Sequence, residues 1–80
     1  MEIKALGGCC KKSMQNYENA KQAAKLCNIS EEVINVTDYN EIAKLGVMST
    51  PGIAINGKAV AWGKLSTVSE IVNYIKNMQN

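Results

Sequence analysis

Apolar positions along this chain switch between a period of two and spacings of three and four, and each switch marks an element. Ile3-Lys4-Ala5-Leu6 is a short apolar strand pattern. From Ser13 onward Met14, Tyr17, Ala20, Ala24 and Cys27 fall three and four residues apart, the stripe of an amphipathic helix. Asn28 follows as a left-handed C-cap, a conformation that Asn tolerates better than most residues. The β-branched run Glu32-Val33-Ile34-Asn35-Val36 reads as a second strand. Thr37-Asp38 opens a short helix with Asp38 and Glu41 at capping-box spacing, Ile42 and Leu45 toward the core and Gly46 as its stop. Beyond Pro51, Ile53-Ala54-Ile55 and Ala59-Val60-Ala61-Trp62 flank Asn56-Gly57, a type I′ hairpin signal. Thr67-Val68-Ser69-Glu70 is another capping-box spacing, and Val68, Ile71, Val72, Ile75 and Met78 line one face of the helix it opens.

The order is strand, helix, strand, helix, strand, strand, helix. A helix joins the first two strands, so they run parallel with a right-handed crossover, and the hairpin adds an antiparallel pair. The chain is therefore α/β. Its 80 residues make one domain spanning 1–80, small enough to bury about 60% of the unfolded chain's surface.

Composition narrows the function classes. Nine lysines against seven acids give a net charge of +2. The lysines are scattered and arginine, the usual base reader, is absent, so no nucleic-acid partner is expected. The absence of histidine removes His-based triads and His-ligated metals. No apolar run approaches the roughly 20 residues needed to span a membrane, and no basic-then-apolar leader opens the chain. Three cysteines, an odd number, argue for reduced thiols and a cytoplasmic setting rather than a disulfide framework. A monomer without cofactor or metal is the expectation.

The chemistry concentrates in Leu6-Gly7-Gly8-Cys9-Cys10-Lys11-Lys12-Ser13. Two glycines let the chain turn tightly where the strand ends. A cysteine placed there meets the unpaired N–H groups and positive dipole end of the following helix, which favour the thiolate. Lys11 and Lys12 add positive charge, unfavourable for a helix start unless something anionic belongs beside it. A free cysteine is most often a small buried hydrophobe, but its place after a glycine turn favours a reactive Cys10. Cys9 lines the site, resolves an adduct or packs at the strand end. Seventeen residues of helix place Cys27 about 25 Å from Cys10, beyond disulfide reach, and a structural role fits it.

This order, with Leu-Gly-x-x-Cys at Leu6 to Cys10, Tyr17-Glu18-Asn19, Val47-Met48-Ser49-Thr50-Pro51, Ile55-Asn56-Gly57-Lys58 and Gly63, resembles the thioredoxin/glutaredoxin superfamily. Within it, the chain looks like the small thioredoxin-like redox-active disulfide proteins. The resemblance implies a βαβαββα fold with a four-stranded mixed sheet in order 2-1-3-4, helices on both faces, and a cis-proline at Pro51. It places the nucleophile on Cys10 and the resolving position on Ser13, a monothiol Cys10-Lys11-Lys12-Ser13 site, with Cys9 where these proteins often have glycine. Lys11, Lys12, the Thr50 backbone, Pro51 and Gly63 would border a groove for an extended peptide or a thiol tripeptide. The implied activity is that of a thiol–disulfide oxidoreductase forming mixed disulfides with protein or low-molecular-weight thiols. Ser13 cannot release such an adduct as a thiolate would, so an external thiol or Cys9 must. Two rivals remain at this stage: a soft-metal or metalloid thiolate binder using Cys9 and Cys10, and a redox-inactive module keeping only the peptide groove.

Overall fold

Strand β1 (Ile3–Leu6) lies inside the sheet, and the other elements pack around it. A computed structural model describes residues 2–7 and 11–79. After β1 come α1 (Lys11–Leu26), β2 (Ile34–Val36), α2 (Tyr39–Lys44), β3 (Gly52–Ile55), β4 (Lys58–Trp62) and α3 (Val68–Gln79). The sheet order is β2-β1-β3-β4. β2 pairs parallel to β1, with Lys4 opposite Ile34 and Leu6 opposite Val36. β3 pairs antiparallel to β1, with Ile3 opposite Ile55 and Leu6 opposite Gly52, and β4 pairs antiparallel to β3. The α/β class is the one the element order predicts, and the strand order 2-1-3-4 is the one the resemblance implies.

Strand alternation divides the core. Ile3, Ala5, Ile53 and Ile55 pack with Ala20, Ala23 and Ala24 of α1 and Ile71 and Ile75 of α3. Leu6 and Ala54 turn the other way, onto Ile42 and Val47 beside α2. Helices thus cover both faces. Each fully buried isoleucine contributes roughly 1.5–3 kcal/mol over leaving it in water, and the alanines let α1 approach the sheet closely.

The ends of the elements are set by local chemistry. At the end of α1, Asn28 takes φ 57°, its N–H donates to Lys25 O at 3.2 Å, and Ile29 N donates to Ala24 O at 2.9 Å. This is the two-bond Schellman closure. The end of α2 repeats it with Gly46 (φ 81°), through Gly46 N to Ala43 O and Val47 N to Ile42 O. Thr67 and Glu70 form the reciprocal capping box: Glu70 N donates to Thr67 Oγ1 at 3.2 Å and Thr67 N to Glu70 Oε1 at 3.1 Å. Asn56 and Gly57 both take positive φ in the hairpin turn, as type I′ requires.

Three expectations need correction. Helix α1 begins at Lys11, two residues before Ser13, and its buried side is Ser13, Asn16, Ala20, Ala23 and Ala24. Met14 is 58% exposed. The small and polar residues take the sheet because only they allow the close approach, which leaves the methionine outside. β2 is shorter than Glu32–Val36, starting at Ile34. At the end of β4, Trp62 is 51% exposed, because its partner Gly52 belongs to the sheet face on which only the six-residue α2 lies.

Candidate functional site

The end of β1, the start of β3 and the end of β4 meet at one edge of the sheet, where Leu6 pairs with Gly52 and Gly52 with Trp62. Gly7 continues β1 by donating its N–H to Val36 O at 3.0 Å. Gly8, Cys9 and Cys10 lie outside the described residues, so the assignments of Cys10 as nucleophile and Cys9 as its neighbour concern positions just beyond this edge in the chain. Lys11 and Lys12 form the first turn of α1 and are exposed, and that turn holds no acidic side chain. Ser13 is turned inward, 2% exposed. It sits on Gly7: a Cβ there would stand 2.7 Å from Ser13 Cβ and closer still to its hydroxyl oxygen. Gly7 is therefore glycine because the first turn of α1 crosses directly over it.

On the other side of the edge, the Thr50-Pro51 peptide is cis. Thr50 is half-buried and Pro51 buried. Pro51 O accepts from Gly63 N at 3.0 Å, with Gly63 at φ 79°, the region that favours glycine. Gly63 also lies against Ser49, whose Cβ would be 3.5 Å from a side chain placed on it. Gly52, next in the chain, has no room for a side chain: a Cβ would come within 2.8 Å of Ala61 O. The structure thus brings Thr50, Pro51 and Gly63 together, with Ser13, Lys11 and Lys12 on the helix that follows β1.

A residue that the pattern did not single out joins these two halves. Asn16, 0% exposed, donates through Nδ2 to Gly52 O at 2.8 Å. One turn further, Asn19 Nδ2 donates to Ser66 O at 2.8 Å in the segment leading to α3. Ser13, Asn16 and Asn19, three residues apart, make a polar seam along α1 facing β1, β3 and that segment. The signal in the sequence was a polar residue at helical spacing from Ser13 and Ala20, indistinguishable there from a solvated position.

Two hollows open beside the edge. One of about 650 Å³ is lined by Lys11, Met14, Gln15, Tyr17, Glu18 and Asn35. The other, about 330 Å³, lies between α2 and the segment before Pro51, with Tyr39, Met48 and Thr50 among its walls. Met48 is 96% exposed, an apolar side chain offered to solvent at the rim of this second hollow. Lys64, next to Gly63, is held back by Glu70 at 2.8 Å. That hydrogen bond is the main cause that raises the lysine above its ordinary pKa and lowers the carboxyl below its own. Among the described residues no group of three His, Cys, Asp or Glu side chains is placed to hold a metal ion, and no helix is long and apolar enough to cross a membrane.

Comparison with known proteins covers nearly the whole chain. A family model described as a thioredoxin domain matches residues 1–76. A thioredoxin of Methanocaldococcus jannaschii is 41% identical over 75 residues, covering 94% of this chain and 86% of that protein. A thioredoxin of Methanothermobacter thermautotrophicus is 27% identical over 71 residues, covering 89% and 92% respectively.

Proposed function

The chain belongs to the thioredoxin-domain family, and from that premise we propose that it performs thiol–disulfide exchange through Cys10 in a monothiol Cys10-Lys11-Lys12-Ser13 site. Cys10 immediately precedes the first residue of α1 in the chain, and the first turn of that helix holds no acidic residue; free N–H groups and the helix dipole at such a position favour a thiolate. The thiolate attacks one sulfur of a substrate disulfide. A new S–S bond forms to Cys10 as the old one breaks, and the other sulfur leaves as a thiolate that takes up a proton. No net oxidation occurs in this step: one disulfide is exchanged for another.

The substrate strand lies along Thr50, Pro51 and Gly63. The Thr50 backbone supplies polar groups to an extended chain, and Gly63 lets that chain come close. Lys11 and Lys12 draw in acidic partners. Release requires a second thiolate, either Cys9 or an external thiol, because the Ser13 hydroxyl is far too weak a nucleophile at neutral pH. A reducing, cytoplasmic setting suits such a cycle. The observation that supports this reading most is the Gly63–Pro51 hydrogen bond beside the Leu6–Gly52 register, which sets the groove wall against the end of β1.

The test is Ser13→Cys. Reduced variant protein, mixed with one equivalent of a peptide disulfide and no other reductant, should release both peptide thiols and end with an internal disulfide. The unmodified protein should stop at a mixed disulfide on Cys10, visible by mass spectrometry. If the unmodified protein releases both thiols and removing Cys9 abolishes this, Cys9 resolves the adduct and the monothiol assignment is wrong. If the variant forms no internal disulfide, Cys10 is the wrong nucleophile.

A further inference from the structure

Asn16 makes poor use of its position if stability is its only purpose. An amide can take part in four hydrogen bonds, yet at 0% exposure the Asn16 side chain makes one among the described residues, to Gly52 O. Its Oδ1 is buried with no partner among the described residues. The orientation is fixed, because a carbonyl only accepts and Nδ2 must face it. A leucine of similar size would continue the apolar side formed by Ala20, Ala23 and Ala24 and remove the stranded Oδ1, at the loss of the donor to Gly52 O. What the asparagine adds is a directed bond to the residue after Pro51.

That bond is one link in a continuous series. Ser13 rests on Gly7 at the end of β1. One turn along the same helix, Asn16 holds Gly52. Gly52 is wedged against Ala61 O and Trp62, and Pro51 O is held by Gly63 N. We propose that Asn16 is a positioning residue. Its bond to Gly52 O sets the distance from the start of α1, which carries the thiol, to the Thr50–Pro51–Gly63 wall along which an extended peptide disulfide lies. The inference rests on the exchange reaction proposed above and adds the group that aligns substrate with thiol. Alignment matters for a substrate gripped along its length and hardly at all for a small reagent that needs no groove.

The experiment compares two reactions at Cys10, each read by mass spectrometry: alkylation by iodoacetamide, and exchange with an extended peptide carrying a cysteine–thionitrobenzoate disulfide. The ratio of the two rates cancels the thiolate fraction and leaves the contribution of the groove. Asn16→Leu should melt within a few degrees of the parent and alkylate at nearly its rate, with the peptide-to-iodoacetamide ratio lowered about tenfold, the size of effect one lost hydrogen bond gives. Should Asn16→Leu not fold, Asn16→Ala removes the same bond without added bulk and must lower the ratio likewise. An unchanged ratio in the folded variant overturns the proposal, whatever its melting temperature. A parent protein that alkylates at Cys10 but does not react with the peptide disulfide overturns the exchange reading itself, and the role of Asn16 with it. The two failures are therefore told apart by the parent protein alone.

Discussion

Gly7 and Gly52 are held to glycine by their neighbours. Each has backbone or a buried side chain where a Cβ would go, Ser13 in one case and Ala61 O in the other. Gly52→Ala must push β3 from β4 at the point where the groove wall begins, and should destabilise the protein by about 1–3 kcal/mol, the usual range for overpacking. Gly7→Ala should do the same by lifting the start of α1, and urea denaturation measures both. Lys64 and Glu70 make a different prediction. The carboxyl of Glu70 is held below its ordinary 4.5, first by the Lys64 hydrogen bond and then by Thr67 N. Its contribution is thus present above that ordinary value and lost as pH falls through the lower folded one. The stability difference between the parent and Glu70→Gln should shrink on acidification below about pH 4.5, and a constant difference would show that the pair does not form in solution. Lys64 is exposed and Glu70 only half-buried, so the effect is small. The neighbours of Gly7 and Gly52 could not be read along the chain, since Gly7 and Ser13 meet only once the helix crosses the strand.

The elements were more legible than their contacts. Asn28, Gly46, Asn56-Gly57 and the Thr67–Glu70 pair each encode a termination or turn within a few residues, and each adopts the geometry that its side chain dictates. Thr67→Ala should accordingly cost about 1 kcal/mol through loss of the α3 cap, read as a lower urea midpoint with an unchanged slope. The face of α1 was less legible. Met14 scored as apolar and Asn16 as polar, but the helix turns Asn16 inward because Gly52 O offers it a hydrogen bond and the alanines beside it permit a tight fit. Period alone counts hydrophobicity and cannot count a partner in a distant strand. The exposed Trp62 has the same origin, since strand alternation says which face a residue takes and not how far the opposite helix reaches.

At the scale of the whole molecule, topology does what no single motif could. The antiparallel β1–β3 pair and the antiparallel β3–β4 hairpin place Leu6, Gly52 and Trp62 side by side, so segments far apart in the chain share one edge. The sheet order implied by the resemblance to the thioredoxin/glutaredoxin superfamily made that edge foreseeable, whereas Asn16, which ties α1 to it, became visible only in three dimensions. The account stands or falls on the thiol of Cys10, which follows β1 in the chain. The direct measurement is the alkylation rate of each cysteine against pH, resolved by mass spectrometry. Cys10 should react well before Cys27 at pH 7, with a rate that titrates below the free-thiol midpoint of about 8.5. Equal rates at Cys10 and Cys27, or a Cys10 rate that rises only with the ordinary thiol midpoint, would contradict it.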